Sequence, residues 1–185
     1  MEDRQIVELF WSRSEAAITE TDRKYGALCR QVAMNILHSA EDAEECVNDA
    51  YLGVWNAIPP QRPAVFPAFL CRFARNLALK QYERANAAKR GGSHPLPLEE
   101  LKETLASPQS VDDAVDAAFA AQCISDFLRA SSREARNVFL RRYWYCDSVA
   151  QLAERFGMSE SKVKSLLFRT RNKLAEYLRK EGITF

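Results

Sequence analysis

With 26 Lys and Arg against 25 Asp and Glu in 185 residues, the chain carries a formal net charge of +1. A hydrophobic share of 47% is enough for packed cores and excludes wholesale disorder. The most apolar short run, Ala64 to Cys71, contains Pro67 and falls far short of the roughly 20 residues that cross a bilayer. The neutral total conceals segregation: residues 1–58 carry a net −6, 59–92 a net +6, 93–135 a net −5 and 136–185 a net +6. Blocks of this kind speak of partners rather than of fold.

The acidic opening Met1-Glu2-Asp3-Arg4 lacks the apolar core of a secretory signal, so the expectation is a cytoplasmic chain without membrane insertion. Cys29, Cys46, Cys71, Cys123 and Cys146 stand far apart with no C-x-x-C pair. That spacing points to buried thiols in a reducing compartment, with neither a disulfide framework nor a metal site. No cofactor is expected.

Glycine is scarce and the helical period dominates throughout. Tyr25, Leu28, Cys29, Val32, Ala33, Ile36 and Leu37 form the apolar face of a first helix. Ser39, followed by Asp42, is placed to cap the next. That helix buries Ala43, Val47, Ala50, Tyr51, Val54 and Ile58 and turns Glu41, Asp42, Glu44, Glu45 and Asp49 outward, until Pro59-Pro60 stops it. A third helix carries Phe66, Phe69, Leu70, Phe73, Ala74 and Leu77 on its stripe, with Arg72, Arg75, Asn76, Lys80 and Arg84 off it. Residues 91–110, with three prolines and no sustained period, read as a linker.

Beyond it, a stripe of Val111, Ala114, Val115, Ala118, Phe119, Ile124, Phe127 and Leu128 follows Ser110. Ser131 with Glu134, and Ser148 with Gln151, read as capping boxes opening two shorter helices. Gly157 suits the left-handed position that ends the second of these. Ser159 caps a final helix on the stripe Val163, Leu166, Leu167, Thr170, Leu174, Tyr177 and Leu178. The fold expectation is all-α: two small helical domains, 1–90 and 111–185, joined by a flexible linker.

Residues 148–178 have the pattern of a helix-turn-helix: a short capped helix, a glycine turn and a long basic helix. Ser161, Lys164, Ser165, Phe168 and Arg169 fall on the face away from the apolar stripe, where they can reach base edges in a major groove. Lys162, Arg171 and Lys173 flank that face and suit phosphates. The segment 62–90 interleaves cations with aromatic rings, the combination that single-stranded nucleic acid selects. Phe69 and Phe73 are expected in the core, and Phe66, beside the proline-rich loop, is the better candidate to stack on a base. The acidic face 41–58 would repel phosphates, so its alternatives are solvent or a basic protein surface. No nucleophile–base pair, P-loop or dinucleotide fingerprint is present, and catalysis by this chain is not expected.

The segment Glu41-Asp42-Ala43-Glu44-Glu45-Cys46-Val47-Asn48-Asp49-Ala50-Tyr51 with Trp55 resembles region 2.2 of the bacterial RNA polymerase sigma factors of extracytoplasmic-function (ECF) type. Phe69-Leu70-x-Arg72-x-Ala74-Arg75-Asn76-Leu77-Ala78 resembles their region 2.3–2.4. Val163-Lys164-Ser165-x-x-Phe168-Arg169-Thr170-Arg171-x-x-Leu174 resembles their region 4.2. The resemblance implies core RNA polymerase and promoter DNA as partners. Asp42, Glu44, Glu45, Asn48, Asp49 and Trp55 would dock on the coiled coil of the polymerase's largest subunit, and the second domain on the polymerase flap. Arg72, Asn76, Lys80 and Arg84 would meet the single-stranded non-template strand of the −10 element, with Arg62 and Phe66 near its flipped base. Ser161, Lys162, Lys164, Ser165, Phe168, Arg169 and Arg171 would meet the −35 duplex. The linker acids Glu99, Glu100 and Glu103 would belong to a tether passing near the polymerase active centre. An anti-sigma factor is the regulator such proteins often have. Many members carry Asp where Lys80 stands, so a −10 base preference does not carry over.

Two rivals compete with this reading. A stand-alone helix-turn-helix regulator has no need of the acidic helix or of 62–90. A DNA-acting enzyme would need a catalytic domain that the N-terminal half does not offer.

Overall fold

The structure, a computed structural model, describes the backbone of residues 1–88, 96–105 and 114–183, and the side chains of 1–86, 96–101 and 119–183. The expectations for the side chain of Glu103, for Ser110 and Val111, and for the side chains of Ala114, Val115 and Ala118 fall outside the described residues. Among the described residues the secondary structure is helical, without strands. The chain divides into two units, Met1–His94 and Pro95–Phe185. No helix among the described residues is long and apolar enough to cross a membrane.

In the first unit, α1 (Asp3–Trp11), α2 (Ala16–Leu37), α3 (Ala40–Ala57) and α4 (Phe66–Ala88) follow in order. Helix α1 has no counterpart in the periodicity reading, since a single and a half turns of Ile6, Val7 and Phe10 make too short a stripe. Those three side chains are nevertheless buried. α2 begins well before Tyr25 and ends at His38 in the left-handed conformation (φ 56°). Ser39 Oγ accepts from Asp42 N as expected, and α3 gives way at Ile58 before the prolines. Pro67 sits in the first turn of α4, where a missing N–H costs nothing. α2, α3 and α4 pack on one another around Cys29, Val32, Ile36, Val47, Val54, Leu70 and Ala74, all essentially inaccessible.

The second unit contains α5 (Pro97–Leu105), α6 (Ala114–Ala130), α7 (Arg133–Tyr143), α8 (Val149–Phe156) and α9 (Glu160–Lys180). Within the stretch read as a linker, residues 97–105 form α5, which packs on α7 and α9. Leu96 is buried and Leu101 lies against the core of this unit. The cap of α7 is shifted by one residue. Ser132, not Ser131, accepts from Ala135 N at 3.2 Å, while Ser131 Oγ donates to Phe127 O at the end of α6. Phe119, expected on the buried stripe of α6, is half exposed.

The α8–α9 junction follows its sequence signals. Ser148 N donates to Gln151 Oε1 and Gln151 N to Ser148 Oγ. Gly157 closes α8 at φ 62°, a conformation that costs an L side chain about 1 kcal/mol or more. Ser159 Oγ accepts from Lys162 N at the start of α9. Val163, Leu167, Leu174 and Leu178 bury one side of α9 against Val138, Phe139, Tyr143 and Leu152. The opposite side faces solvent.

Candidate nucleic-acid interface

On that outer side of α9, Ser161, Lys164, Ser165, Phe168 and Arg169 are all exposed. Phe168 stands out at 57% exposure, an aromatic ring with no core to enter. With Lys164, Ser165 and Arg169 it lines an open concavity of about 550 Å³. Arg169 Nε donates to Ser165 O at 3.3 Å, one turn back along the helix. Lys162 lies 3.1 Å from Glu134 of α7, and Lys164 lies 3.7 Å from Glu160. Both pairs are exposed, so either amine can exchange its carboxylate for a phosphate at little cost.

In the first unit, Arg72, Asn76, Lys80 and Arg84 are exposed and recur every fourth residue along α4. They form one row about 18 Å long at 1.5 Å per residue. The Arg72 guanidinium lies over the Phe69 ring, 5.2 Å from its centroid. On α3, Glu44, Glu45, Asn48 and Asp49 are exposed and Asp42 and Trp55 half-buried. Arg30 of α2 reaches Glu44 at 3.6 Å. The acidic and basic faces of this unit therefore belong to different helices, as the charge blocks imply.

The model of sigma-70 region 2 matches residues 22–88, and that of sigma-70 region 4 matches residues 122–174. Together they span well over half of the chain, in the order of the two units. The chain belongs to the sigma-70 family. It is similar to the ECF RNA polymerase sigma factor SigL of Mycobacterium tuberculosis, in strains H37Rv, CDC 1551 and Erdman alike, at 29% identity over 168 residues. That alignment takes in 87% of this chain and 88% of the relative. A solved structure of CnrH in complex with the cytosolic domain of CnrY is 19% identical, with a TM-score of 0.45 over 96% of this chain and 97% of that one.

The protein is thus a sigma factor of ECF type, which directs core RNA polymerase to promoters, and its partners are that polymerase and promoter DNA. Sigma factors are initiation factors rather than enzymes.

Two of the expected site residues of this sigma factor stand elsewhere than the sequence placed them. Phe66 is 1% exposed, with ring centroids 5.8 Å from Phe10 and 6.0 Å from Tyr25. It anchors an aromatic core that α1 completes, and so it offers no free face to a base. Arg171 is also turned inward. Its Nη1 donates to Tyr143 Oη at 2.6 Å and lies 3.4 Å from Glu100 Oε2, and its side chain is 17% exposed. Arg142 of α7 pairs with the same carboxylate. Glu100 therefore serves the packing of α5 onto α7 and α9 rather than a free acidic tether. Burial pushes the Tyr143 phenol up from its ordinary value, against the lowering effect of Arg171.

Sequence reasoning missed Trp11 and Arg13. The Arg62 guanidinium lies 4.3 Å from the centroid of the Trp11 ring, and its Nη1 donates to Glu8 Oε1 at 2.5 Å. Arg13 sits over Trp55 at 5.3 Å and donates to Trp55 O at 2.7 Å. The only sequence signal for either was an aromatic and an arginine in the acidic first block.

Proposed function

We propose that three exposed faces of this sigma factor divide the work of promoter-directed initiation. The outer face of α9, with Ser161, Lys162, Lys164, Ser165, Phe168 and Arg169, enters the major groove of the −35 duplex. The row Arg72, Asn76, Lys80 and Arg84 on α4, with Arg62 at the loop before it, holds the non-template strand of the opened −10 element. The acidic face of α3, with Asp42, Glu44, Glu45, Asn48 and Asp49 and the half-buried Trp55, docks on the basic coiled coil of the polymerase's largest subunit, and the second unit docks on the flap.

The observation that carries this reading is the outer face of α9. Polar, cationic and aromatic side chains share it directly after a glycine turn, and the opposite face alone supplies the core. Groove-reading helices need that division of labour. Catalysis then belongs to the polymerase, and the site of action is the cytoplasm, where polymerase and chromosome meet. An anti-sigma factor would have to cover the same faces to silence the protein.

The test is a holoenzyme reconstituted from core polymerase and the full chain, on a promoter found by mapping the 5′ ends of transcripts it induces. Arg169→Ala should weaken −35 binding by about 1–3 kcal/mol and relax base preference there. Charge reversal at Glu44 and Glu45 should impair core binding while leaving duplex −35 binding intact. No promoter-dependent transcript from the unaltered holoenzyme would overturn the reading. Tight specific duplex binding by the chain alone, with no effect of core polymerase, would favour a stand-alone regulator.

A further inference from the structure

Helix α5 is seated on α7 and α9 by few contacts. Leu96 is buried just before it, and Leu101 packs against the core of the second unit. The polar side of the seat rests on one carboxylate. Glu100 accepts from Arg142 Nη2 and lies 3.4 Å from both Arg171 Nη1 and the Tyr143 hydroxyl. Two guanidiniums thus share a single anion, and their buried Nε atoms find no acceptor among the described residues. Buried donors without acceptors weaken the seat, since water would satisfy them on release. At nine residues α5 is also shorter than the roughly 12–15 that sustain a helix alone in water. Its helicity therefore depends on being seated.

We infer that α5 is a detachable latch that sets the working length of the chain between the units: seated, it keeps one molecule from holding both promoter elements, and it lets go when polymerase and promoter engage both. This rests on the reading that the first unit holds the −10 strand and the second the −35 duplex. The chain from Ala88, the end of α4, to Leu96 has eight residue steps and spans at most about 28 Å. A unit of roughly 90 residues is about 30 Å across, so its radius adds about 15 Å at either end. A chain with α5 seated therefore serves two sites at most about 60 Å apart. The −10 and −35 elements lie about 25 base pairs apart, about 85 Å along a duplex. Once α5 leaves its seat it unwinds, and the chain from Ala88 to Ala114 then reaches about 90 Å. Both elements come within range. A −35 duplex alone makes no demand on this length, so it leaves α5 seated and Glu100 on its arginines.

Locking the latch tests this. The five native thiols are buried, so a pair introduced by Glu100→Cys and Arg142→Cys can be joined selectively with a short bis-maleimide. The joined chain should bind core polymerase and a −35 duplex as the unjoined one does. Its holoenzyme should form complexes on a mapped promoter about tenfold more weakly or worse. An insert of about fourteen Gly and Ser residues after Gly92, adding up to about 49 Å, should restore them. In the unaltered protein, amide exchange across 97–105 should be slow in the free chain and on a −35 duplex, and about tenfold faster in the promoter complex. If the joined chain forms promoter complexes as well as the unjoined one, if the insert restores nothing, or if exchange stays slow throughout, the latch is overturned while the division of promoter elements stands. If the unaltered holoenzyme forms no promoter-dependent complex, that division fails and the latch with it.

Discussion

Asp22 and Arg30 lie eight residues apart on α2 and bond directly, Oδ1 to Nη1, at 2.9 Å. The bond passes over Gly26, where a Cβ would stand 2.2 Å from Asp22 Oδ1 and 2.6 Å from Arg30 Nη2. Glycine in a helix interior costs about 1 kcal/mol against alanine, so this one is kept for the space it leaves. Asp22 also accepts from Tyr51 Oη of α3 at 2.9 Å, and Arg30 lies beside Glu44. The bridge thus ties α2 to the base of the acidic face.

Gly26→Ala should break that bridge, because the flexible ends of Asp22 and Arg30 have to move aside. At 39% and 46% side-chain exposure the pair is worth under about 1 kcal/mol, near the helix propensity gained, so the net change in stability should be small. Salt separates the two terms. Raising ionic strength weakens the bridge in the unaltered protein but leaves the propensity gain untouched. The variant should therefore gain on the unaltered protein in thermal denaturation as salt rises. An identical salt response in the two proteins would show that the bridge contributes nothing in solution.

Alkaline pH should destabilise the first unit through its buried thiols. Burial, with Asp49 and Glu45 adding to it, pushes the Cys46 thiol up to about 11 from an ordinary value near 9.0. A folded value above the unfolded one means that the folded chain holds a proton the unfolded chain has released. The associated stability is present below about pH 9 and is lost as pH rises toward 11. Cys46→Ala should flatten the fall of the melting temperature over that window. Cys29, whose thiol is raised by its bond to Cys71 and by burial, should leave part of the fall in place. An unchanged slope in the Cys46 variant would count against the burial argument.

Elements were legible where one residue type has one local job. Ser39, Ser148, Gly157 and Ser159 act within four residues of themselves, and each caps as its neighbours dictate. The exposed faces of α3, α4 and α9 followed from helical spacing alone. What stayed hidden depends on contacts distant in the chain. Phe66 looked like a loop-side ring because the residues that bury it, Phe10 and Tyr25, lie more than forty positions earlier. Arg171 looked like a phosphate contact because its carboxylate, Glu100, stands on α5, a helix too short and proline-flanked to be seen. The Ser131-x-x-Glu134 pattern pointed to Ser131, yet the adjacent Ser132 makes the cap.

The turn between α7 and α8 is fixed by a buried carboxylate. Asp147 is fully inaccessible and receives Arg141 Nε at 2.6 Å and Nη2 at 2.9 Å, with Arg155 Nε at 3.6 Å. Arg142 Nη1 donates to its carbonyl at 2.8 Å. Removing one partner of such a pair leaves the other charge buried and uncompensated. Asp147→Ala should therefore cost about 3–5 kcal/mol in the second unit, read by denaturant unfolding. Asp147→Asn keeps the shape and should cost less. A loss below about 1 kcal/mol for the alanine variant would mean that Arg141 swings into water without penalty.

Lys164 and Arg171 stand seven residues apart on nearly the same line of α9, yet they should behave differently toward DNA. The Lys164 side chain is 66% exposed beside Phe168, whereas Arg171 is 17% exposed between Tyr143 and Glu100. Each phosphate neutralised by a cation steepens the dependence of log affinity on log salt by about 0.9. Lys164→Ala should therefore flatten that dependence for a −35 duplex by about one such step. Arg171→Ala should leave it unchanged while lowering the stability of the second unit, because it removes the Arg171 bond to Tyr143 and leaves Arg142 as the cation on the Glu100 carboxylate. Titrations at several salt concentrations, paired with unfolding curves of each variant, separate the two outcomes. An equal flattening in both variants would place Arg171 on the DNA and mean that α5 gives up its hold when the duplex binds.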